Sequence, residues 1–407
     1  MSSPGNNHAF SGRYNRRLVF DLIRTKGTIS RGELVEATGL QPQTIANITR
    51  DLLTRGLLTE TTRAAGGRGA PQKLLTLTAQ AGSSIGLHLD RDRLTGVLCD
   101  LDGKEIARVE AQSPWQDPEE AVGVIAGVTT ELVKAAPDVP CWGVGVAMPT
   151  LQETGFEQYV GSPGWQKWGM VEFADALETA TGRPVIVEND ATAAAIAELH
   201  ASRDTDLTDF VYIFVGHGLG AGIIIDGLPF QGAFNNAGEI GLLSWPEALQ
   251  PGKDISATPF SLEEMAQMMG CEMHSLGVDG ALQQLYAQRE PGLMRWLELN
   301  GRRLQSLTAI IENLFDPQSV IVGGTLPSII LSSLVDRAYP LLASAAARTG
   351  RTFPRLLNSR LTESASAIGA AMLPIIAHGS PHFRRLSLAR GRKSPTDPET
   401  RYDQVAG

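Results

Sequence analysis

The stretch from Val185 to Leu243 constrains this chain most. Val185-Ile186-Val187 and Phe210-Val211-Tyr212-Ile213-Phe214-Val215 are short unbroken apolar runs, the pattern of buried strands. The first ends in Glu188-Asn189-Asp190 and the second in Gly216-His217-Gly218-Leu219-Gly220-Ala221-Gly222, with Asn236-Ala237-Gly238-Glu239-Ile240-Gly241 downstream. Buried strands that end in polar groups and glycines predict a cleft at the strand ends. Asn189, Asp190 and Glu239 offer several acceptors and one amide, which suits a polyhydroxylated ligand whose hydroxyls must be satisfied once water is excluded. The competing reading is that they cap helices or pair with arginines, as Asp190 could at the start of a helix over Ala191–His200.

A chain of 407 residues is too long for one small core and divides into two or three domains. Two segments look alike, Ser84–Glu110 and Asp209–Gly232. Each reads as a strand, a turn, a second strand ending in Asp-Gly (Asp102-Gly103, Asp226-Gly227) and a short third strand. This duplication, with helices expected over Val122–Ala135, Ala174–Thr181, Ser261–Gly270, Ala281–Gln288, Leu293–Leu314 and Ser364–Ile376, predicts two similar α/β lobes around a cleft. Val320-Ile321-Val322-Gly323-Gly324 is another buried strand closing on glycines. Phe383–Gly407 carries Arg384, Arg385, Arg390, Arg392 and Lys393 and reads as a basic tail without a core of its own.

Charge is uneven. Residues 1–75 hold 11 Lys/Arg against 5 Asp/Glu, the remainder 24 against 39. A basic head on an acidic body points to a nucleic-acid-binding module attached to a domain with another job. Met1–Arg13 reads as a loose arm. Leu18, Val19, Leu22 and Ile23 then share one helical face, ended by Lys26-Gly27, and Ser30-Arg31-Gly32-Glu33 is a capping box opening a second helix with Leu34, Val35 and Ala37 inward. Thr38-Gly39-Leu40 makes a turn and Pro42 starts a third helix whose Ile45, Ile48, Leu52 and Leu53 face the core. That leaves Gln43, Thr44, Asn47 and Arg50 outward, donors and acceptors at the spacing a recognition helix uses to reach base edges in a major groove. A hairpin follows, with glycines at its Gly66-Gly67-Arg68-Gly69 tip and Arg63, Arg68 and Lys73 to meet backbone phosphates, Arg68 also being a candidate for a minor groove. Three short helices and a hairpin predict a winged helix-turn-helix, joined to the body by a hinge over Ala79–Ser83.

Taken together, Val187-Glu188-Asn189-Asp190-Ala191-Thr192-Ala193-Ala194-Ala195, the Val215–Gly222 run, Ala237-Gly238-Glu239-Ile240-Gly241, Trp165 in Gly161-Ser162-Pro163-Gly164-Trp165, and Gly323-Gly324 resemble the ROK family of sugar kinases and sugar-responsive repressors. The resemblance covers most of the chain. It implies an α/β fold, a winged helix-turn-helix followed by a two-lobed, actin-like, sugar-kinase-like body, with Asn189, Asp190, Glu239 and Trp165 touching sugar and Asp190 at the position of the kinases' general base. Two departures stand out. Family kinases cradle phosphate with an Asp-x-Gly-Gly-Thr turn, and here that place reads Asp90-Arg91-Asp92-Arg93-Leu94-Thr95, with glycines lost and a carboxylate added. Many relatives bind zinc through a histidine after Gly-Glu-Ile-Gly and a cysteine cluster. This chain has Leu242 there and only Cys271, Glu272 and His274 downstream, too few ligands for a tetrahedral site.

The expectation is therefore a cytoplasmic regulator of carbohydrate-utilisation genes, a repressor in sign. Residues 1–80 form the DNA-binding domain, 81–378 the sugar-binding body and 379–407 the tail. It binds operator DNA as a homodimer or homotetramer, responds to a sugar between the lobes, and uses no metal or cofactor and no membrane. The competing expectation is an active ATP-dependent sugar kinase carrying a DNA-binding head. His217 is open between an anion contact and an ordinary turn histidine, and Cys99, Cys141 and Cys271 are expected as small buried residues.

Overall fold

The computed structural model describes residues 8–63, 72–114, 117–149, 170–243, 259–272, 276, 280–361 and 363–381. The head consists of α1 (His8–Lys26), β1 (Thr28–Ser30), α2 (Arg31–Thr38), α3 (Pro42–Thr54), β2 (Leu58–Arg63) and β3 (Gln72–Leu77), with β3 between β1 and β2. Helix α1 starts at His8, so much of the expected loose arm is helical. Polar residues of ordinary propensity extend a helix that packing already anchors at Val19, Phe20 and Ile23. Gly27, at φ +76°, ends it, with its amide on Ile23 O at 3.0 Å. The capping box is present in full: Ser30 Oγ accepts from the Glu33 amide and Glu33 Oε2 from the Ser30 amide. Gly39 closes α2 in the left-handed region and Pro42 opens α3. Two assignments need correction. Ala37 is exposed because α2 meets the core chiefly through Leu34, and Thr49, not read as inward, is fully buried on α3, accepting a hydrogen bond from Arg31 Nε at 3.1 Å; Ile48 and Leu53 are half-buried and pack against the core as expected.

The body is two sheets of one plan. In lobe I the strands are β4 (Ser83–Leu89), β5 (Arg93–Asp100), β6 (Glu105–Gln112), β7 (Cys141–Met148) and β8 (Val185–Asn189), ordered β6-β5-β4-β7-β8 and packed by α4 (Pro118–Lys134) and α5 (Met170–Thr181). Helix α6 (Asp190–Ala201) follows. Lobe II has β9 (Phe210–Val215), β10 (Leu219–Ile225), β11 (Leu228–Pro229), α7 (Leu262–Met269), α8 (Ala281–Ala287), α9 (Pro291–Phe315), β12 (Ser319–Gly324), α10 (Ser328–Ala338) and β13 (Leu356–Asn358), ordered β11-β10-β9-β12-β13. In each lobe an antiparallel β-meander is extended by two parallel strands, so the duplication seen in the sequence is a repeated topology. Trp296, Leu297, Leu304, Leu307 and Ile311 recur at helical spacing on α9 and fill the lobe II core.

Helix α11 (Ala365–Gly379) packs with α6 between the two sheets at backbone distance. A Cβ at Gly86 would lie 1.9 Å from Ala367 O, one at Gly145 1.9 Å from Ala370 O, and one at Gly369 1.7 Å from Ala193 O. Only small residues permit so close an approach, which explains the alanine- and glycine-rich composition of both helices. The expected hinge is a 3-10 turn at Ala79–Ala81, after which Ser83 is already buried in β4. More binds the head than that connection. Phe20 of α1 packs on Trp142 of β7 at a ring distance of 5.9 Å, Trp142 on His378 of α11 at 4.6 Å, and the head's apolar core is continuous with Leu373, Ile375 and Ile376. Helix α11 runs to Gly379 and Ser380 is buried, past the residue-378 limit expected for the body; the tail from 382 lies outside the described residues.

Candidate functional site

Strand β8 delivers Asn189 and Asp190 to the mouth of the cleft. Asn189 is the N-cap of α6, its Oδ1 accepting from the amides of Ala191 at 2.9 Å and Thr192 at 3.2 Å. The capping role considered for Asp190 thus belongs to Asn189, which keeps only its amide NH2 for a ligand. Asp190 is the first helical residue: Oδ1 accepts the Ala191 amide at 2.8 Å, while Ser366 Oγ of α11 donates to its main-chain oxygen at 3.0 Å. The remaining carboxylate oxygen, Oδ2, lies 4.0 Å from His88 Nε2. Glu239 enters from lobe II on a turn pinned to β10, where the Ala221 amide donates to Gly238 O at 2.8 Å. A Cβ at Gly238 would meet Ala221 O at 1.9 Å and the residue sits at φ +97°, so glycine is required there. Burial, and then the charge of Asp190, push the Glu239 carboxyl up to about 8. A protonated Glu239 can donate a hydrogen bond, which an ionised carboxylate cannot.

Trp165 and Arg68 lie outside the described residues. Asn189, Asp190 and Glu239 are brought together, and three polar residues not singled out before join them. His88 sits on β4 within an apolar run, side chain 4% exposed, with Phe214 edge-on at 6.1 Å and Nε2 without a hydrogen-bond partner among the described residues. Glu188 is buried, its carboxyl pushed up to about 8 by burial, and it accepts from the Asn189 amide at 2.8 Å and from Gln231 Nε2 at 3.4 Å. The available signal was a polar residue interrupting a buried strand, as in Leu87-His88-Leu89 and Val187-Glu188. Leu242, the expected substitute for a zinc-binding histidine, is 41% exposed, Cys271 is exposed, correcting the expectation that it is buried, and Cys99 and Cys141 are buried. His274 lies outside the described residues, among which no group of three or more His, Cys, Asp or Glu is placed to hold a metal ion.

Beside this pocket the cleft continues as a cavity of about 140 Å³ lined by His88, Asp90, Asp92, His217, Thr325 and neighbours. The Asp90–Asp92 turn reaches across to His217, a turn histidine that meets the chain's own carboxylates. Its Nε2 is 2.7 Å from Asp92 Oδ2, and its Nδ1 makes a 2.9 Å ionic contact with Asp90 Oδ1 outside hydrogen-bond alignment. Of the glycines in this region, Gly222 and Gly324 have steric reasons: a Cβ would meet Ala191 O at 2.4 Å and Val215 O at 2.0 Å.

On the head, Gln43, Asn47 and Arg50 are exposed along one face of α3 and Thr44 is half-buried at its start. Gln43 Nε2 and Arg50 Nη1 both donate to Asn47 Oδ1, at 3.1 and 3.4 Å, which aligns the three in a row. Lys73, expected to supply charge toward phosphate, is 63% exposed and pairs with Glu60 at 2.7 Å, a carboxylate that also holds Arg31 at 2.6 Å.

The family model described as the ROK family matches residues 84–376. The chain belongs to the ROK family. It is 30% identical over 238 residues to the xylose repressor of Caldicellulosiruptor bescii, covering 58% of this chain and 59% of that one. It is 27% identical over 383 residues to the DNA-binding transcriptional dual regulator NagC of Escherichia coli, covering 88% and 91%. The crystal structure of a ROK family transcriptional regulator, a homologue of the E. coli MLC protein, superposes with a TM-score of 0.67 at 23% identity over 93% of this chain and 98% of that one, which shows the shared fold. This ROK-family chain thus combines a winged head and a two-lobed body with relatives named as repressors and regulators. No described helix is long and apolar enough to cross a membrane.

Proposed function

We propose that this ROK-family protein is a transcriptional regulator, a repressor of carbohydrate-utilisation genes, whose winged head binds operator DNA as a dimer or tetramer and whose body binds a sugar or sugar derivative without phosphorylating it. One observation carries the reading: α11 joins the candidate sugar site to the DNA-binding head. At one end Ser366 holds Asp190 from behind at 3.0 Å, and at the other His378 and Gly379 lie against Trp142 and Phe20. A helix of 15 residues spans about 20 Å, and small-residue packing along its length leaves little slack to absorb a shift. A ligand that moves Asp190 and Glu239 together then moves the head as well. A coupling of ~1–3 kcal/mol changes operator occupancy 5-fold or more.

In this reading Asn189, Asp190, Glu239 and Trp165 contact the effector, Gln43, Thr44, Asn47 and Arg50 meet base edges, and Arg68 meets phosphate or the minor groove. Asp190 and the Gly216–Gly222 run favour a kinase, Asp190 because its carboxylate would take a proton from a hydroxyl. The Arg91–Arg93 stretch weighs against one, since the glycines that let backbone amides approach phosphate are lost there and Asp92 adds a carboxylate where an anion would enter. The reading is tested by selecting an operator from a random duplex pool with full-length protein, then titrating xylose, N-acetylglucosamine and glucose into the complex. Release or tightening by one sugar, lost in Asp190→Asn, supports it. Unchanged binding with every sugar together with sugar-dependent ADP formation would establish the kinase instead.

A further inference from the structure

His217 stands on the β9–β10 turn of lobe II and its two partners stand on the β4–β5 turn of lobe I, at the corresponding place in the repeated topology. We propose that His217 is a positioning residue, a cationic clasp that fixes the spacing of the two lobes across the cleft with no ligand present. The inference builds on the reading of the body as an effector-binding module, and its test contains no sugar, so either can fail without the other.

The geometry is that of a built interaction. The His217 side chain is 9% exposed, both ring nitrogens lie within 3 Å of a carboxylate oxygen, and those carboxylates belong to two residues flanking Arg91. Asp90 is itself fixed, its Oδ1 accepting the Arg91 amide at 2.8 Å. Two acidic residues on one turn would repel each other without a cation between them. The imidazolium removes that repulsion and ties the lobes in one contact.

The charge state follows from the surroundings. Burial disfavours the imidazolium, but Asp90 and then Asp92 outweigh it and raise His217 to about 10 from an ordinary 6.5. Burial raises the Asp90 carboxyl, yet His217, followed by His88, holds it well below the usual carboxylate range, and the hydrogen bond from His217 lowers Asp92. Arg91 lies on the same turn and favours the charged form of Asp92, while Arg93, Arg108, Glu110 and Glu363 line the adjoining cavity. Since the raised histidine contributes fully below 6.5 and the lowered aspartates above 3.8, the clasp stabilises most between those values. Its contribution declines above 6.5 and is gone once pH passes about 10.

The test measures lobe spacing in the full chain. Spin labels are placed at exposed positions of each lobe through Thr130→Cys on α4 and Arg302→Cys on α9, with the exposed Cys271 changed to Ser and the buried Cys99 and Cys141 kept. The parent protein at pH 7 is expected to give one narrow interlobe distance, and His217→Ala a longer and broader one. Asp92→Asn, at a half-exposed carboxylate, opens the lobes in the same direction with little risk to folding, and combining it with His217→Ala adds nothing further. Raising the pH through 10 opens the parent and leaves His217→Ala unchanged. A parent-like distance in both His217→Ala and Asp92→Asn, or a pH-dependent opening that persists without His217, overturns the clasp.

Discussion

The two lobes repeat one topology, and the turns at their corresponding positions have become opposites. The β4–β5 turn of lobe I carries Asp90 and Asp92; the β9–β10 turn of lobe II carries Gly216, His217 and Gly218. Backbone architecture tolerated this divergence because the turn residues point into the cleft, whereas the glycines that let sheets meet helices could not diverge. Gly86 and Gly145 in lobe I and Gly222 in lobe II each lie against helix backbone, where any side chain would have to displace a main-chain oxygen. The difference separates what the fold needs from what the site does: identical packing constraints, complementary chemistry.

The largest effect that sharpens this contrast is steric. Gly145→Val places atoms where Ala370 O already stands, and we expect loss of folded protein, or at least ~4 kcal/mol in a denaturant titration. Gly218→Ala, where a Cβ meets nothing within 4 Å, should leave stability within ~0.5 kcal/mol. Equal losses from both would break the distinction between packing glycines and turn glycines. Next is the head joint. Phe20→Leu leaves a gap against Trp142 and Gly379, expected to cost about 1–3 kcal/mol and to weaken effector response more than DNA affinity. An unchanged response would mean that the head is governed through the Ala79–Ala81 turn alone.

On the DNA side, Asn47→Ala removes the acceptor that aligns Gln43 and Arg50 and should relax base preference by ~1–3 kcal/mol with the salt dependence kept. The smallest effect is a gain. Glu188 is buried with its carboxyl raised to about 8 from an ordinary 4.5, so ionising it costs stability as the pH rises between those values. Glu188→Gln should therefore stabilise the protein above neutrality by on the order of 1 kcal/mol and flatten the dependence of Tm on pH from 5 to 8. A steeper dependence in the variant would reverse that sign.

Much of this was legible in the residues because it is local. The capping box at Ser30–Glu33, Gly39 after α2 and Pro42 at the start of α3 act over three or four residues, and the repeated strand-turn-strand pattern announced two similar lobes. Asn189 and Asp190 were legible as polar groups at the end of an apolar run, and Glu239 through the Ala237–Gly241 segment that resembles the family's. What could not be read was long-range pairing. His217 meeting Asp90 and Asp92, and Phe20 seated on Trp142, join residues more than a hundred positions apart, and even Lys73 tied to Glu60 depends on the register of a hairpin 13 positions across. Strand β13 also went unread, because the three residues Leu356–Asn358 are too few to show a period, while helix α10 was overlooked although Ile330, Leu331, Leu334, Val335 and Ala338 recur at helical spacing.

The central claim is that the body senses a sugar and does not phosphorylate it. It is tested most directly by the thermal midpoint of full-length protein with neutral sugars, amino sugars and sugar phosphates, each with and without Mg-ATP. The account predicts that at least one sugar raises Tm by the same amount with and without nucleotide, as a ligand bound only by the native state must, and that Asp190→Asn or Glu239→Ala abolishes the rise. A rise that requires Mg-ATP, or that Mg-ATP produces alone, would contradict it.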